Sequence, residues 1–260
     1  MIMSFIRSTR LHQYKVGEAA YISINALLPI ALLLLTNGFN SLYPALALVL
    51  LSKWRIIALR PRFWWMSIKA NAVDLLFGIS IAILLSMLHS PTPQLVAQVV
   101  VVLCYEVWLL YLKPRSDTLS VILQAGIAQF LALVVLFNLS ADLNDFLVLL
   151  GCWVIGYSAA RHVLGVYNEE LIDLLSSFWA LLLAQFGWLL YHWTLAYDIG
   201  LTIKIPQIAL LILVLSFTLT RLYAAAKNDQ LKDIAVRLSA LFSVGLLLVI
   251  IIFSHWDVTI

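Results

Sequence analysis

The sequence contains few charged residues, and this scarcity excludes a water-soluble fold. Asp, Glu, Lys and Arg make up 11% of its 260 residues, against roughly 25% in an average soluble domain. Hydrophobic residues make up 63% of the chain, and the mean hydropathy is +1.01. We therefore expect the hydrocarbon of a lipid bilayer to be the main solvent of this protein.

The sequence also lacks the motifs of common metal and nucleotide sites. It has only two cysteines, Cys104 and Cys152, and both fall inside apolar runs, which is typical of small buried side chains. There is no HExxH, GxSxG or CxxC motif and no Gly-rich phosphate loop. No cofactor, metal site or defined catalytic chemistry is therefore predicted, and no motif indicates an enzyme.

Positive and negative residues are too nearly equal in number to indicate nucleic acid as a partner. The formal net charge is +3, whereas nucleic-acid binding usually needs a strongly basic surface. The cations instead gather next to apolar runs, where the anionic headgroups of a bilayer would be their neighbours.

Nine apolar runs, separated by polar or proline-containing turns, are present. Runs of this kind predict an all-α, polytopic transmembrane helix bundle that forms a single membrane domain over residues 1–260. The predicted spans cover residues 17–36, 41–57, 70–88, 95–112, 117–137, 146–161, 171–193, 206–221 and 234–253.

The distribution of Lys and Arg predicts how this bundle is oriented. The segment from Lys53 to Lys69 contains five cations and no acid, and short loops rich in Lys and Arg stay cytoplasmic. Threading nine spans with this loop inside places 15 of the 16 Lys and Arg residues on the inner side, all except Lys204. We therefore expect a cytoplasmic N-terminus, an outer C-terminus and a location in the inner (plasma) membrane.

Two carboxylates fall inside predicted spans and are the first candidates for a functional site. A charge in the hydrocarbon costs about 2.5–3.5 kcal/mol at its centre, so such residues are often functional. Asp74 and Glu106 both lie roughly 7–10 Å inside the predicted inner boundary, at 1.5 Å per helical residue. Asn71 shares a helical face with Asp74. The pattern indicates a cation or proton site open to the cytoplasm, or an ion pair with Arg161, Arg221 or Arg237.

Other polar residues fall at the same inner level on further helices. They could form a vestibule for a polar ligand, or the interhelical hydrogen bonds found in any membrane bundle. The candidate inner polar site comprises Asn71, Asp74, Glu106, Arg161, Asp173 and Arg221.

Cations at two tight inner turns could bind a phosphate or a lipid headgroup. Each turn has proline between basic residues, at Arg60 and Arg62 and again at Lys113 and Arg115. Arginine and lysine are the usual phosphate-binding side chains.

Three function classes fit these patterns. The first is a transporter or channel for a small polar solute or ion. The second is a structural or accessory subunit that packs against another membrane protein or a second copy of the chain. The third is an intramembrane enzyme that acts on a lipid-linked phosphate.

Local signals also predict how several helices begin and end. Asp117 is placed to cap the fifth span, and Asn168 to cap the seventh. The segment AAAKNDQLKD, residues 224–233, is expected to continue the eighth helix, and residues 192–205 to form an exposed connector.

Overall fold

A computed structural model of the protein describes residues 22–89, 94–192 and 195–253, and this part of the chain is mainly helical. Eight of its helices are long and apolar enough to cross a membrane. They are α1 (Ile22–Phe39), α5 (Ala72–His89), α6 (Leu95–Leu112), α7 (Thr118–Asn138), α8 (Asp145–Val166), α9 (Ile172–His192), α10 (Gln207–Lys227) and α11 (Ile234–Ile252). The all-helical fold and the multi-pass membrane character expected from the sequence are confirmed.

Shorter elements connect these long helices. They are α2 (Leu42–Ser52), α3 (Trp54–Ile57), a 3₁₀ turn (Pro61–Phe63), α4 (Trp64–Ala70), a second 3₁₀ turn (Ser140–Asp142), and the strands β1 (Ala196–Asp198) and β2 (Lys204–Pro206).

The second predicted span, residues 41–57, is shorter in the structure than the sequence suggests. Its helix α2 has 11 residues, or about 16 Å at 1.5 Å per residue, against a hydrocarbon core of ~30 Å. The helix stops at Lys53, whose backbone leaves the helical region, and four residues of α3 follow. The number of spans therefore stays a prediction.

Side-chain hydrogen bonds and ion pairs sort the loops into two groups at opposite ends of the bundle. At one end, which we call the basic end, α5, α7 and α9 begin and α2, α6, α8 and α10 finish. At the other, the far end, the amide of Gln98 in α6 pairs with Asn37 of α1. Which side of a membrane the basic end faces stays a prediction.

A small antiparallel hairpin forms where the sequence suggested an exposed connector. Tyr197 pairs with Ile205 across the two strands. The turn is closed by Gly200, whose φ is +73° and whose N–H donates to the carboxylate of Asp198 at 2.7 Å. Asn138 then bonds both the N–H and the carbonyl of Lys204, at 3.0 and 2.7 Å. The end of α7 thereby fixes the hairpin at the far end.

The expectation that residues 224–233 continue the eighth helix is confirmed for residues 224–227 and wrong for residues 228–233. Asp229 has a φ of +55°, and the N–H of Gln230 bonds the carbonyl of Ala225 at 2.8 Å, which closes the C-terminus of α10. Asp233 then accepts a hydrogen bond from the N–H of Ala235 and caps α11. Two local capping groups therefore separate the helices.

Of the two predicted N-caps, one is confirmed. Asp117 accepts a hydrogen bond from the N–H of Ser120 at 3.1 Å at the start of α7. Asn168 instead adopts a φ of +52° and follows the end of α8, while α9 begins at Ile172. Asparagine tolerates the left-handed region that a helix end uses, so it terminates α8 here.

Two buried clusters form the core, and α5 contributes to both. One cluster joins α1, α2, α5 and α6 with Ala128 of α7, and the other joins α5 to α7, α8, α9 and α10. Small residues bring α8 and α9 close together: a Cβ added at Gly156 would lie 3.1 Å from the Cα of Ala180. Close approach at small residues is how membrane helices gain packing without a hydrophobic driving force.

Candidate functional site

Asp74 is the centre of a buried charge cluster at the basic end. Its carboxylate accepts a hydrogen bond from the ammonium of Lys53 and lies 2.9 Å from the Nζ of Lys113. The side chains of Lys53 and Asp74 are only 9% and 14% exposed. The cluster therefore joins two ammonium groups and one carboxylate, each from a separate segment, in one largely buried position.

The local structure of α5 and α6 explains how these groups meet. Asp74 lies in the first turn of α5, where a carboxylate is favoured by the helix dipole. The last turn of α6, Trp108–Leu112, is π-helical, and the N–H of Lys113 bonds the carbonyl of Trp108 at 2.8 Å. Such π turns are often found at functional sites. The wider turn precedes Lys113, whose ammonium reaches Asp74.

Trp108 completes the surroundings of Asp74. Its ring stacks on Phe77 with 3.8 Å between centroids, and its indole N–H donates to the carboxylate of Asp74 at 3.3 Å. Trp108 is 3% exposed. Asp74 therefore has three donors on its two oxygens, and its position is fixed by packing as well as by charge.

The cluster lies on the wall of a cavity of about 780 Å³ between α1, α2, α5 and the loop that follows α2. Its lining combines apolar side chains with hydrogen-bond donors and acceptors. The polar lining residues are Asn25, Ser52, Lys53, Ser67, Asn71, Asp74 and Lys113. A cavity of this size and mixed lining is within the range of small-molecule sites.

The cavity wall carries a net positive charge. One carboxylate faces two ammonium groups, so the three side chains together carry a formal charge of +1. An isolated charge is costly away from water unless it is paired. Among the described residues that line the cavity, a ligand would meet two ammonium groups for one carboxylate, which favours an anionic group over a cation.

Two of the other sequence candidates form a second, separate cluster. Asp173 in α9 accepts a hydrogen bond from the hydroxyl of Tyr157 at 2.6 Å and lies 3.3 Å from a guanidinium nitrogen of Arg161. Lys69 also lies 3.1 Å from Asp173. Arg161 is therefore not the partner of Asp74, and the ion pair that the sequence allowed for Asp74 is made with lysines instead.

The remaining candidates do not join Asp74 as one charged group. Asn71 lines the cavity, and its amide donates to the carbonyl of Ser67 at 2.8 Å. Within the described residues, Glu106 and Arg221 form no hydrogen bond or ion pair with Asp74. Glu106 is half-buried beside the exposed Val107, and Arg221 is exposed.

The four cations proposed for a phosphate differ in their surroundings. Lys113 faces Asp74, whereas Arg60, Arg62 and Arg115 are exposed. The guanidinium of Arg62 lies over the ring of Phe63 at 4.5 Å. Only Lys113 of the four lines the cavity.

Lys53 and Gln124 also hold the site together, although neither belongs to the candidate inner polar site that the sequence predicts. Lys53 belongs to the basic segment, and its position directly after an apolar run is the available sign of its burial. Gln124 donates to the carbonyls of Leu112 and Arg115 at 2.7 and 3.0 Å and bonds His162 at 3.0 Å. A lone glutamine inside an apolar run was the available signal, since such side chains need partners in a membrane.

Within residues 22–89, 94–192 and 195–253, no three His, Cys, Asp or Glu side chains come close enough together to hold a metal ion. The described groups at the basic end include ammonium, guanidinium, imidazole, carboxylate, amide and hydroxyl groups. The sequence matches no protein-family model, and neither the curated proteins nor the solved structures contain a significant match to the chain.

Proposed function

We propose that this multi-pass membrane protein is a transporter or channel for a small anionic solute in the plasma membrane, with the cavity beside Asp74 as its binding site. The observation that supports this most strongly is the pair of lysines that share one carboxylate on the cavity wall. The solute class follows from the charge of that wall.

The arrangement provides a way to bind and release an anion. Asp74 holds Lys53 and Lys113 in the absence of solute, which avoids two unpaired ammonium groups in a poorly hydrated site. An incoming carboxylate or phosphate competes with Asp74 for the same donors, and it adds hydrogen bonds from Asn71 and Ser67 on the cavity wall. Binding is then an exchange of partners, which keeps the solute from being held too tightly to leave.

A cation or proton site, the first expectation from the sequence, fits the charges less well. A cation beside Asp74 would have to displace two ammonium groups that already neutralise the carboxylate. Like charges a few ångströms apart repel each other strongly where the effective dielectric constant is low.

Uptake into proteoliposomes tests this proposal. The purified protein would be reconstituted and given radiolabelled acetate, glutamate or inorganic phosphate, with rubidium ion as the cation. We expect protein-dependent uptake of at least one anion and none of rubidium. Lys113→Gln should lower the initial rate at least tenfold, because one charge-assisted contact contributes about 1.5–3 kcal/mol.

Two variants distinguish a solute site from a structural ion pair. Asp74→Asn should retain anion uptake, since the solute takes the place of the carboxylate between the lysines; a cation site would lose all activity in this variant. Arg62→Gln is the matched control, because Arg62 belongs to the same basic segment but is exposed. Equal uptake by the wild type and Lys113→Gln would exclude the cavity as the solute site.

The same preparations address the two other function classes. No flux of any ion, together with stable co-purification of a second membrane protein, would favour the accessory subunit. Release of labelled phosphate from a lipid-linked substrate would favour the enzyme. Either result would contradict transport as the function.

A further inference from the structure

A second cleft, separate from the charge cluster, lies among α7, α8, α9 and α10 and has a volume of about 500 Å³. Its lining is mostly apolar and includes two aromatic residues, Trp179 of α9 and Phe217 of α10. None of the described residues that line it is charged. A ligand that fits this cleft is therefore neutral and lipid-soluble.

One buried amide gives the cleft a specific polar group. Gln129 of α7 lines the cleft and is 2% exposed. Its carbonyl oxygen accepts a hydrogen bond from the hydroxyl of Ser216 at 3.0 Å, but its Nε2 has no hydrogen-bond partner among the described residues. An unpaired donor of this kind is rare in a folded protein and costs free energy.

The hydrogen bond from Ser216 determines which group of the Gln129 amide is available to a ligand. Because the hydroxyl occupies the oxygen of Gln129, the nitrogen remains the available donor. The ligand group that satisfies it is an acceptor without a charge, such as a carbonyl oxygen. Ser216 itself lines the cleft, so both groups belong to the same wall.

The depth of Gln129 distinguishes between classes of carbonyl-bearing ligand. It is the twelfth of 21 residues in α7, which puts its amide about 16 Å along a helix that crosses ~30 Å of hydrocarbon. The ester carbonyls of phospholipids lie at the interface, near the ends of such a helix. A phospholipid bound in the cleft would therefore bring only its acyl chain to the amide.

We propose that this cleft binds a neutral, lipid-soluble molecule with a planar ring and a carbonyl oxygen, the chemical class of the quinones, with Gln129 as the donor to that carbonyl. Trp179, Phe217 and Tyr223 give flat apolar surfaces for the ring. The cleft continues past Ala226 to Leu231 at the basic end, which leaves room for an apolar tail. This site is independent of the anion cavity and of the function proposed for it.

Quenching of tryptophan fluorescence provides a direct test. The full chain in nanodiscs of saturated phosphatidylcholine would be titrated with decylubiquinone, and with decylbenzene as a probe that has a ring and a tail but no carbonyl. We expect saturable quenching by decylubiquinone, with the saturable part lost in Trp179→Phe. Decylbenzene should compete at least tenfold more weakly, because it cannot accept the hydrogen bond.

Variants of the amide identify the contact. Gln129→Leu should weaken decylubiquinone binding about tenfold while its thermal stability stays near that of the wild type, since the change also removes an unpaired buried donor. Gln98→Leu is the matched control, because Gln98 is equally buried but its amide is bonded to Asn37 and Leu85. It should lower stability and leave the affinity unchanged.

A third variant keeps the test valid if Gln129→Leu does not fold. Ala160→Leu fills the cleft without touching the amide and should also abolish saturable quenching. Three results would each overturn the proposal: quenching that never saturates, equal affinity of Gln129→Leu and the wild type, or equal competition by decylbenzene. The last would identify the cleft as a slot for acyl chains.

Discussion

Helices α7 and α11 are similar in length and about equally apolar, yet they occupy opposite positions in the bundle. In α7 61% of the residues in the spanning segment are buried, whereas in α11 only 6% are. Val236 is the one buried residue of α11. Hydropathy therefore identifies both as spans but does not distinguish a central helix from a peripheral one.

The polar side chains of the two helices explain the difference. In α7, Gln124 bonds the turn after α6, Gln129 bonds Ser216 of α10, and Asn138 bonds the hairpin. In α11, Ser239 and Ser243 bond carbonyls of their own helix. Amides, whose donors cannot all be satisfied by their own helix, thus indicate a helix surrounded by others, whereas serines are compatible with a lipid-facing position.

The largest effect that this comparison predicts comes from shortening a leucine on each helix. Leu133 of α7 is fully buried, and Leu133→Ala should lower the free energy of unfolding by about 1–3 kcal/mol. Lipid tails are as apolar as leucine, so most of this cost is lost packing around the cavity that remains. Unfolding in mixed micelles with increasing dodecyl sulfate, followed by tryptophan fluorescence, measures it.

The corresponding change on α11 is the control. Leu248 is 53% exposed, so Leu248→Ala should alter the free energy of unfolding by less than about 0.5 kcal/mol. Equal losses in the two variants would mean that α11 is packed against protein, either another part of the chain or a partner.

The charge cluster and the helix ends differ in how well the sequence predicts them. The spans and the cap at Asp117 follow from local patterns, namely apolar length and a carboxylate before a helix. The partners of Asp74 depend on the tertiary contacts of three segments, and the sequence predicts Arg161, Arg221 or Arg237 as the partner rather than Lys53 and Lys113. The structure selects Lys53 because α2 ends early and packs against α5.

Local capping also explains two errors in the prediction. Apolar content extended the second span past Lys53, and helix propensity extended α10 through residues 228–233, because neither measure includes the backbone turn. Asp229 has the positive φ that ends α10, and asparagine or aspartate at such positions is a recognised stop signal. The cavity beside Asp74 and the apolar cleft lie between helices and have no signature in a single sequence.

A smaller effect is expected from adding one methyl group to a glycine in a helix. A Cβ at Gly187 of α9 would lie 2.4 Å from the Sγ of Cys152, which is fully buried in α8. Gly187→Ala should therefore cost about 1–2 kcal/mol through overpacking. The helices can recover part of this by separating, which would appear as a lower midpoint in the same dodecyl sulfate titration.

Gly245 of α11 provides the opposite case. A Cβ there would meet no heavy atom within 4 Å, so Gly245→Ala should be neutral or stabilise the helix by about 0.5–1 kcal/mol. A loss of stability in Gly245→Ala would contradict the lipid-facing position of α11.

A double variant, Gly187→Ala with Cys152→Ala, should recover most of the loss caused by Gly187→Ala alone.

The smallest effect concerns the polar contacts that anchor α10 but not α11 at the basic end. Lys227, the last residue of α10, lies 2.5 Å from the carboxylate of Glu169 and donates to the carbonyl of Tyr167 at 2.6 Å. Hydrogen bonds from Lys227 and from Tyr223 hold the pKa of Glu169 below its usual value. By contrast, Asp233 at the start of α11 caps only its own helix.

The pH dependence of stability distinguishes these two arrangements. Because the pKa of Glu169 is lowered by folding, its contribution is fully present above the usual glutamate pKa of about 4.5 and is lost as the pH falls through the lower folded value. Glu169→Gln should therefore unfold more easily than the wild type at pH 7, and the difference should shrink as the pH falls below about 4.5. Glu170→Gln, which changes an exposed neighbour, should match the wild type throughout. A gap between Glu169→Gln and the wild type that does not shrink as the pH falls would show that shape and not charge anchors α10, and the contrast with α11 would then rest on packing alone.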